Sequence, residues 1–303
     1  MLRNVVAGID GSPEGLAAAH WAAQEALRRG TGLSLVHAWR SQPRPAPGVP
    51  LGSPDHERAE HLLRTAVDSV RAPHPALGVA GRLMHDSAAS ALLSAAEDAE
   101  LLVLGSRGLG SVAGFVTGSV SQRVVGRSSR PVVLVRAGQC AADEHLPAAD
   151  GVAPEEIPET PYRAVVLGLD VRHPSDELIQ FAFEAARRRD TGLRVVHAFT
   201  VRPSTVSAAV PTDPSPGPEV FDAGKRTVVS ALRPWSEKYP EVPVTEYVVE
   251  GRPAAELVAA AAGAGLVVVG RRTTGGLTVA HIGPVTHAVL HHVGCPVAVV
   301  PPA

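Results

Sequence analysis

The chain has 303 residues, about twice the length of a typical domain, and this length favours two domains. Its formal net charge of −2 gives no electrostatic reason to expect binding to nucleic acid or to an anionic membrane. The two cysteines, Cys140 and Cys295, lie far apart without metal-ligand spacing, which disfavours a disulfide framework or a zinc site and favours a reducing cytoplasm.

Two further patterns bear on localisation. The apolar run at the start of the chain ends at Asp10 after a few residues, so a secretory signal is not expected. The stretch "LVAAAAGAGLVVVG" at 257–270 is too short and too rich in alanine to cross a bilayer. We therefore expect a soluble cytoplasmic protein without a membrane partner.

The first elements in chain order are a buried strand and a helix. The wholly apolar segment "NVVAGI" at 4–9 predicts a strand buried on both faces, as in parallel sheets. Ser12 can cap a following helix that has Pro13 in its first position, and Gly30 is expected to end that helix. The apolar residues expected on its buried side are Leu16, Trp21 and Leu27.

The rest of the first half alternates between strands and helices. After the strand "LSLVHAW" a Pro-rich loop leads to a helix that is expected from about Asp55. The later predicted segments are a strand at 77–85, a helix at 88–99, a strand at 101–105, a short helix around 119–128 and a strand at 130–136. Such alternation predicts a doubly wound parallel sheet, in which ligands bind beyond the carboxyl ends of the strands. Asp10 and Gly105 lie at two of these ends.

The chain then repeats itself. "VVAGID" and "TGLSLVHAW" return 160 residues later as "VVLGLD" and "TGLRVVHAF", and "LLVLG" and "RPVVLV" return at an offset of 165 as "LVVVG" and "CPVAVV". We therefore predict two copies of one domain, at 1–138 and 161–303. The segment 139–160 between them is acidic and rich in Ala and Pro, and it reads as a linker of intermediate stiffness, with the boundary near residue 150.

The glycine-rich stretch "GSRGLGSVAGFVTGS" at 105–119 is the candidate binding loop. Gly105, Gly108 and Gly118 with Ser119 have the spacing Gly-x2-Gly-x9-Gly-Ser, which lets backbone N–H groups and a helix N-terminus surround an anion. Ser121 and Arg107 add a hydroxyl and a charge. A capped helix after a glycine-rich surface loop is an equally good interpretation of the local sequence. The stretch is neither a Walker A loop nor a dinucleotide fingerprint.

Together, "GIDGS", "LVHAW" and "LGSRG" followed nine residues later by "GS" resemble the universal stress protein family, in its ATP-binding branch. The resemblance covers both halves. It implies an α/β fold of two tandem doubly wound domains, each with a five-stranded parallel sheet in the order 3-2-1-4-5, as in adenine nucleotide alpha hydrolases. It also implies a role in stress survival, pairing of the two copies through their last strands, and a homodimer.

The resemblance further implies roles for matched residues. Asp10 would lie near the ribose and the metal-bound phosphates of ATP, with Mg²⁺ as a possible companion, and Ala38 would line the adenine. Asp10 could instead cap the following turn, and Ala38 and Leu104 belong to the core in either case. The residues assigned to the nucleotide are Ile9, Asp10, Ala38, Leu104, Gly105, Arg107, Gly108, Gly118, Ser119, Val120 and Ser121. His37 and its counterpart His197 are expected to be structural.

The second copy keeps only part of this pattern. Thr273 replaces Gly108, and Pro284 replaces Ser119, so a backbone approach, an N–H group and a hydroxyl are lost. Arg271 and Arg272 could offset the loss or could be solvated. We expect one strong ATP site, in the first copy. The residues of a weaker second site would be Asp170, Ala198, Gly270, Arg271 and Gly283.

Four histidines near the second loop raise a metal hypothesis. His287 and His291 have the i, i+4 spacing that can hold zinc on a helix. Neither a carboxylate nor a cysteine is fixed beside them by the sequence, so surface or interface histidines are the expectation, and we predict no metal site. The four residues are His281, His287, His291 and His292.

Three functions are compatible with these observations. The favoured one is an ATP-binding regulatory protein of the stress response, acting on a protein partner that the sequence does not identify. A slow ATPase is the second, with Asp10 and Arg107 as candidates but no dedicated catalytic constellation. A nucleotide-independent interaction scaffold is the third.

Overall fold

The elements alternate between strand and helix in both halves of the chain. The computed structural model describes residues 3–40, 54–106, 119–146, 160–200, 218–272 and 282–302. The first half contains β1 (Val5–Gly8), α1 (Pro13–Arg29), β2 (Leu33–Trp39), α2 (Pro54–Arg71), β3 (Val79–His85), α3 (Ala88–Glu97), β4 (Leu101–Ser106), α4 (Ser119–Arg127) and β5 (Val132–Arg136). The second half contains β6 (Val165–Gly168), α5 (Asp176–Arg188), β7 (Leu193–Phe199), α6 (Pro218–Lys238), β8 (Val244–Glu250), α7 (Pro253–Ala260), β9 (Leu266–Gly270), α8 (Pro284–His292) and β10 (Val297–Val300).

All ten strands form one sheet, in the order β3-β2-β1-β4-β5-β10-β9-β6-β7-β8. Within each half the strands are parallel and follow the expected order 3-2-1-4-5. The halves join where β5 and β10 run antiparallel, with Val133 opposite Ala298. This confirms the pairing of the last strands, which removes two apolar edges from solvent.

Helices cover both faces of the sheet and bury two apolar layers. One layer contains side chains of α1, α2, α5 and α6, and the other contains side chains of α3, α4, α7 and α8. Since both faces are covered, the inner strands are mostly apolar, as in β1, where all four residues are buried, whereas the edge strands β3 and β8 are largely exposed or half-buried. Within the part of the chain that the structure describes, no helix has the length and hydropathy required to span a bilayer.

Helix α1 begins and ends as its sequence predicts. The Ser12 hydroxyl accepts a hydrogen bond from Gly15 N at 3.1 Å, and Gly30 ends the helix in the left-handed region with φ of 63°. Trp21 is buried as expected, but the prediction was wrong for Leu16 and Leu27, which are 40% and 46% exposed. The helix packs through small residues instead. These fully buried residues are Ala18, Ala19, Ala22, Ala23 and Ala26.

A buried charge cluster joins the halves on the α1 and α5 side. We use this name for Glu25, Arg28, Arg29, Glu144 and Arg189. Arg189 of the second half donates to Glu25 Oε2 at 2.9 Å, and Arg29 donates to Glu25 Oε1 at 2.7 Å. Arg28 lies 3.1 Å from Glu144 Oε2, and all five residues are at least nine-tenths buried at the side chain.

The carboxylate of Glu144 comes from the segment that the sequence analysis treats as the start of the linker. Residues Ala141–Glu144 form a short 3-10 helix, and the indole N–H of Trp21 donates to Glu144. Beyond it, His145 forms an isolated antiparallel bridge with Tyr162. A single buried acid leaves no periodic signal in the sequence. The defined structure of this segment therefore depends on partners such as Trp21 and Arg28, which are distant in sequence.

Two aromatic contacts repeat across the junction with approximate two-fold symmetry. The Arg189 guanidinium lies 5.8 Å from the centroid of the Trp21 ring, and Arg29 lies 5.6 Å from the centroid of the Phe181 ring. Arg29 corresponds to Arg189, and Trp21 to Phe181, at the same offset of 160. Each half therefore places an arginine over an aromatic ring of the other.

On the opposite side of the sheet, arginines cap helices across the junction. Arg271, which follows β9, donates to the carbonyls of Val125 and Ser128 at the end of α4, at 3.0 and 2.7 Å. Arg136 of β5 donates to His291 O at the end of α8, at 2.9 Å. Positive charge at a helix C-terminus is favourable, so these contacts hold the two halves in register.

The buried charge cluster predicts a pH dependence. Burial alone raises the pKa of Glu25, but the charges of Arg189, Arg29 and Arg28 outweigh it and hold this pKa well below its ordinary 4.5. Stability from Glu25 is therefore fully present above pH 4.5, and it is lost as the pH falls from there toward the depressed folded pKa.

Glu25→Gln should lower the free energy of unfolding at pH 7 by about 3–5 kcal/mol, because it leaves guanidinium groups buried without their charge partner. It should also flatten the decline of stability between pH 5 and 3. Urea unfolding at several pH values measures both. Exposed Glu57→Gln is the matched control, and equal losses for the two variants would contradict the prediction.

Candidate functional site

The register of the sheet brings the predicted site residues to one edge. Gly8 of β1 pairs with Val36 of β2 on one side and with Leu104 of β4 on the other. Asp10, Ala38 and Gly105, one or two residues further along, therefore lie at the same carboxyl edge. The chain leaves β1 and β4 toward opposite sides of the sheet, which is where doubly wound folds form ligand crevices. We call this place the switch-point edge.

Asp10 shapes the turn between β1 and α1. Its Oδ1 accepts a hydrogen bond from Ser12 N at 3.0 Å and another from the Ser12 hydroxyl, and Ser12 in turn caps α1. The carboxylate nevertheless stays exposed. A capping role for Asp10 is thus present in the structure, and it leaves the group accessible from solvent.

Gly15 is a residue that sequence reasoning did not single out. A Cβ on Gly15 would lie 2.8 Å from Asp10 Oδ1, so the bare backbone lets α1 start directly against this carboxylate. The signal available in the sequence was a glycine in the first turn of a helix, where it weakens the helix and needs a packing reason.

Gly105 is fixed by packing against α1. A Cβ at this position would lie 2.6 Å from the carbonyl carbon of Glu14 and 2.7 Å from Gly15 N, and backbone atoms cannot move aside cheaply. At Gly270, the counterpart in the second half, the nearest atom would be the flexible Leu178 Cδ2 at 3.3 Å. The first half therefore demands glycine more strictly than the second.

Helix α4 starts at the switch-point edge and is held there by Ser121. The Ser121 hydroxyl is buried and donates to Gly105 O at 3.2 Å, and Val120 packs half-buried against the core. Thr286 makes the same bond to Gly270 O at 3.0 Å in the second half. The hydroxyl of Ser121 is therefore an anchor, whereas Ser119 is exposed in the first turn of α4.

The remaining residues near the edge are structural. Ile9 and Leu104 are core residues with exposures of 6% and 3%. His37 Nδ1 donates to Ile9 O at 2.8 Å, and His197 Nδ1 donates to Leu169 O at 3.0 Å. Since a carbonyl oxygen can only accept, these bonds fix the tautomer and confirm the structural role expected for both histidines. Arg107, Gly108 and Gly118 lie outside the described residues.

The corresponding edge of the second half is arranged differently. Burial raises the pKa of Asp170, but hydrogen bonds from Arg172 N and His173 Nδ1 and the charges of His173 and Arg272 hold it below its ordinary value. Ala198 is half-buried on β7. Arg271 points to the end of α4 in the first half, so its guanidinium serves the junction and not the second loop.

The second-half helix also begins with fewer polar groups. Gly283 is the N-cap of α8, and Pro284 occupies the first position of that helix. Proline lacks both the backbone N–H and the hydroxyl that Ser119 has at the first position of α4. The start of α8 thus offers an anion fewer donors than the start of α4.

The two cysteines do not add a reactive group to this edge. Both are free thiols, with Cys140 exposed and Cys295 partly buried. Burial raises the pKa of Cys295 to about 12, which keeps its thiolate scarce at neutral pH.

Comparisons with known proteins agree with the repeat. The sequence model of the universal stress protein family matches residues 1–136 and 161–301. A universal stress protein of Mycobacterium tuberculosis is 33% identical over 311 residues, covering 97% of this chain and 95% of the relative. A universal stress protein of Mycobacterium bovis is 32% identical over 306 residues, covering 97% and 96%.

A solved structure repeats the fold over the full length. The crystal structure of a universal stress protein from Archaeoglobus fulgidus aligns with a TM-score of 0.67 and 16% sequence identity, and it covers 98% of both chains. The two-half architecture is therefore shared by a protein of very different sequence.

The packing of Gly105 predicts a stability effect without any ligand. Gly105→Ala should lower the free energy of unfolding by about 1–3 kcal/mol, because the new methyl group overlaps the backbone of α1. Gly78→Ala is the matched control, since a Cβ there meets nothing within 4 Å. Thermal or urea unfolding of the two nucleotide-free variants measures the difference between their free energies of unfolding. A loss of stability confined to Gly78→Ala would refute the packing role assigned to Gly105.

Proposed function

The chain belongs to the universal stress protein family, and we propose that it is a regulatory protein of the stress response that binds ATP mainly in its first half. The observation that carries this proposal is the position of α4. Its first residue, Ser119, is exposed, and Ser121 ties the helix to Gly105 at the switch-point edge, next to the strand that leads to Asp10.

This arrangement suits a polyphosphate. The first turn of a helix has N–H groups without intrahelical partners and carries the positive end of the helix dipole. The Ser119 hydroxyl adds a donor at the same end. By the sequence pattern, Arg107, Gly108 and Gly118 complete the cradle from the adjoining loop.

The rest of the nucleotide would follow the edge of the sheet. Half-buried Ala38 offers an apolar surface for the adenine, with Leu104 in the core beside it, and the exposed carboxylate of Asp10 can accept from the ribose. Asp10 also fits an Mg²⁺ ion that travels with ATP, because such ions are held by one or two carboxylates together with phosphate oxygens. When bound, Mg²⁺ would neutralise phosphate charge, and Asp10 would orient it.

The second half supports weaker binding at most. Its helix begins with Pro284, and the guanidinium of Arg271 is bound to carbonyl groups of the first half. The proposal is therefore one tight nucleotide site in a pseudo-symmetric chain, whose occupancy is read by a protein partner. Hydrolysis is not part of the proposal, because a contact with the ribose or with Mg²⁺ explains Asp10 without a catalytic role.

Titration calorimetry with ATP and Mg²⁺ tests the proposal. We expect about one tight site per chain, and Ser119→Ala should weaken it about ten- to hundredfold, because one hydrogen bond to a charged phosphate contributes about 1.5–3 kcal/mol. Asp10→Asn should also weaken it. Asp170→Asn is the matched control in the second half and should leave the affinity unchanged.

Three outcomes would contradict the proposal. Two equivalent tight sites would show that the second half is not degenerate. Binding that is lost in Asp170→Asn but kept in Ser119→Ala would place the tight nucleotide site in the second half. Absence of binding in both the starting protein and the variants would favour the scaffold function.

A further inference from the structure

Two histidines on α8 bring ring nitrogens together outside the nucleotide site. The Nε2 atoms of His287 and His291 lie 3.0 Å apart, with ring centroids separated by 4.1 Å. We propose that this pair, which we call the dihistidine pair, binds a divalent metal ion of the zinc, nickel and copper class. The sequence analysis predicted surface or interface histidines and no metal site, and the convergence of the two ring nitrogens is the observation that now supports a metal site.

The separation of the nitrogens matches that of two ligands of one ion. Metal–nitrogen bonds to histidine are about 2.0–2.1 Å long, so two imidazole ligands of the same ion lie about 3–3.5 Å apart. Without metal, one Nε2–H donates to the other Nε2 across this gap. A metal ion would replace the shared proton and accept a lone pair from each ring.

The helix holds both rings near this geometry in advance. Residues at i and i+4 lie on one face of a helix, so little chain entropy is lost when the rings share an ion. His287 is exposed and gives access from solvent, whereas His291 is 5% exposed and fixed in position.

The type of ligand selects the class of metal. Among the residues that the structure describes, no group of three histidine, cysteine or acidic side chains could hold a metal. Water would then complete the coordination, and imidazole ligands favour Zn²⁺, Ni²⁺ and Cu²⁺ over Mg²⁺ or Ca²⁺.

Calorimetric titration of the full-length protein without an affinity tag, using ZnCl₂ and NiCl₂, tests the proposal. We expect one site per chain and an affinity that falls at least tenfold in His287→Ala. His61→Ala serves as the matched control, because His61 is an exposed helical histidine that is distant in sequence from the dihistidine pair. At a zinc concentration of about one hundred times Kd, the melting temperature should rise by about 4 °C, and only in variants that keep the pair.

A second readout identifies the ligands directly. Electron paramagnetic resonance of the Cu²⁺ form should show coupling to two imidazole nitrogens, and His287→Ala should reduce this to one. His287→Ala also removes the hydrogen bond to buried His291, so the melting temperature of each variant without metal is the baseline from which its metal-induced rise is measured. An unchanged affinity in His287→Ala, an equal loss in His61→Ala, or no binding at all would overturn the proposal.

Discussion

The antiparallel pairing of β5 with β10 is the constraint on which the rest of the structure depends. Each half has an apolar last strand, and buried Val133 and Ala298 face each other across the seam. Exposed valine-rich edges would invite association with other chains, and their pairing makes one continuous sheet. Once this seam is fixed, the helices that flank it are forced to meet across the junction.

The two halves make different kinds of contact on the two faces of the sheet. On one side the buried charge cluster lies between α1 and α5, and on the other side Arg136 and Arg271 cap helices of the opposite half. Buried ion pairs add little net stability because desolvation offsets their attraction, but an incorrect arrangement would leave a charge unpaired. The contacts across the seam therefore specify one relative placement of the halves.

The two copies have diverged in complementary ways. Glu25 corresponds to Ala185 at the offset of 160, so the first half supplies the acid that Arg189 of the second half needs. Conversely, Arg271 follows β9, where the sequence analysis placed a weaker second site, and its guanidinium caps α4 of the first half. Ser121 and Thr286 keep the same anchoring bond in both halves, which shows that helix position survived while the groups around the loops changed.

The sequence by itself determined the repeat and the alternation of strands and helices, and the strand order that its resemblance to the family implied is the order that the sheet has. Apolar runs, capping residues such as Ser12 and the offset between copies are local or periodic signals, and they do not depend on which residues meet in space. Which residues of α1 are buried was harder to predict from the sequence, because both its alanines and its leucines fit an apolar stripe. The alanines are buried because the helix packs closely against the sheet, and Leu16 and Leu27 stay exposed.

Only the tertiary structure decided which polar residues work together. Glu144 looked like part of an acidic linker, Arg271 like a candidate for the second loop, and Ser121 like a ligand donor, yet each has a partner distant in sequence. Likewise, Gly105 resembled a binding glycine, and its contact with the backbone at Glu14 appears only when α1 packs against β4. A polar or glycine residue acquires its role from the atoms within a few ångströms, and a linear pattern does not contain those distances.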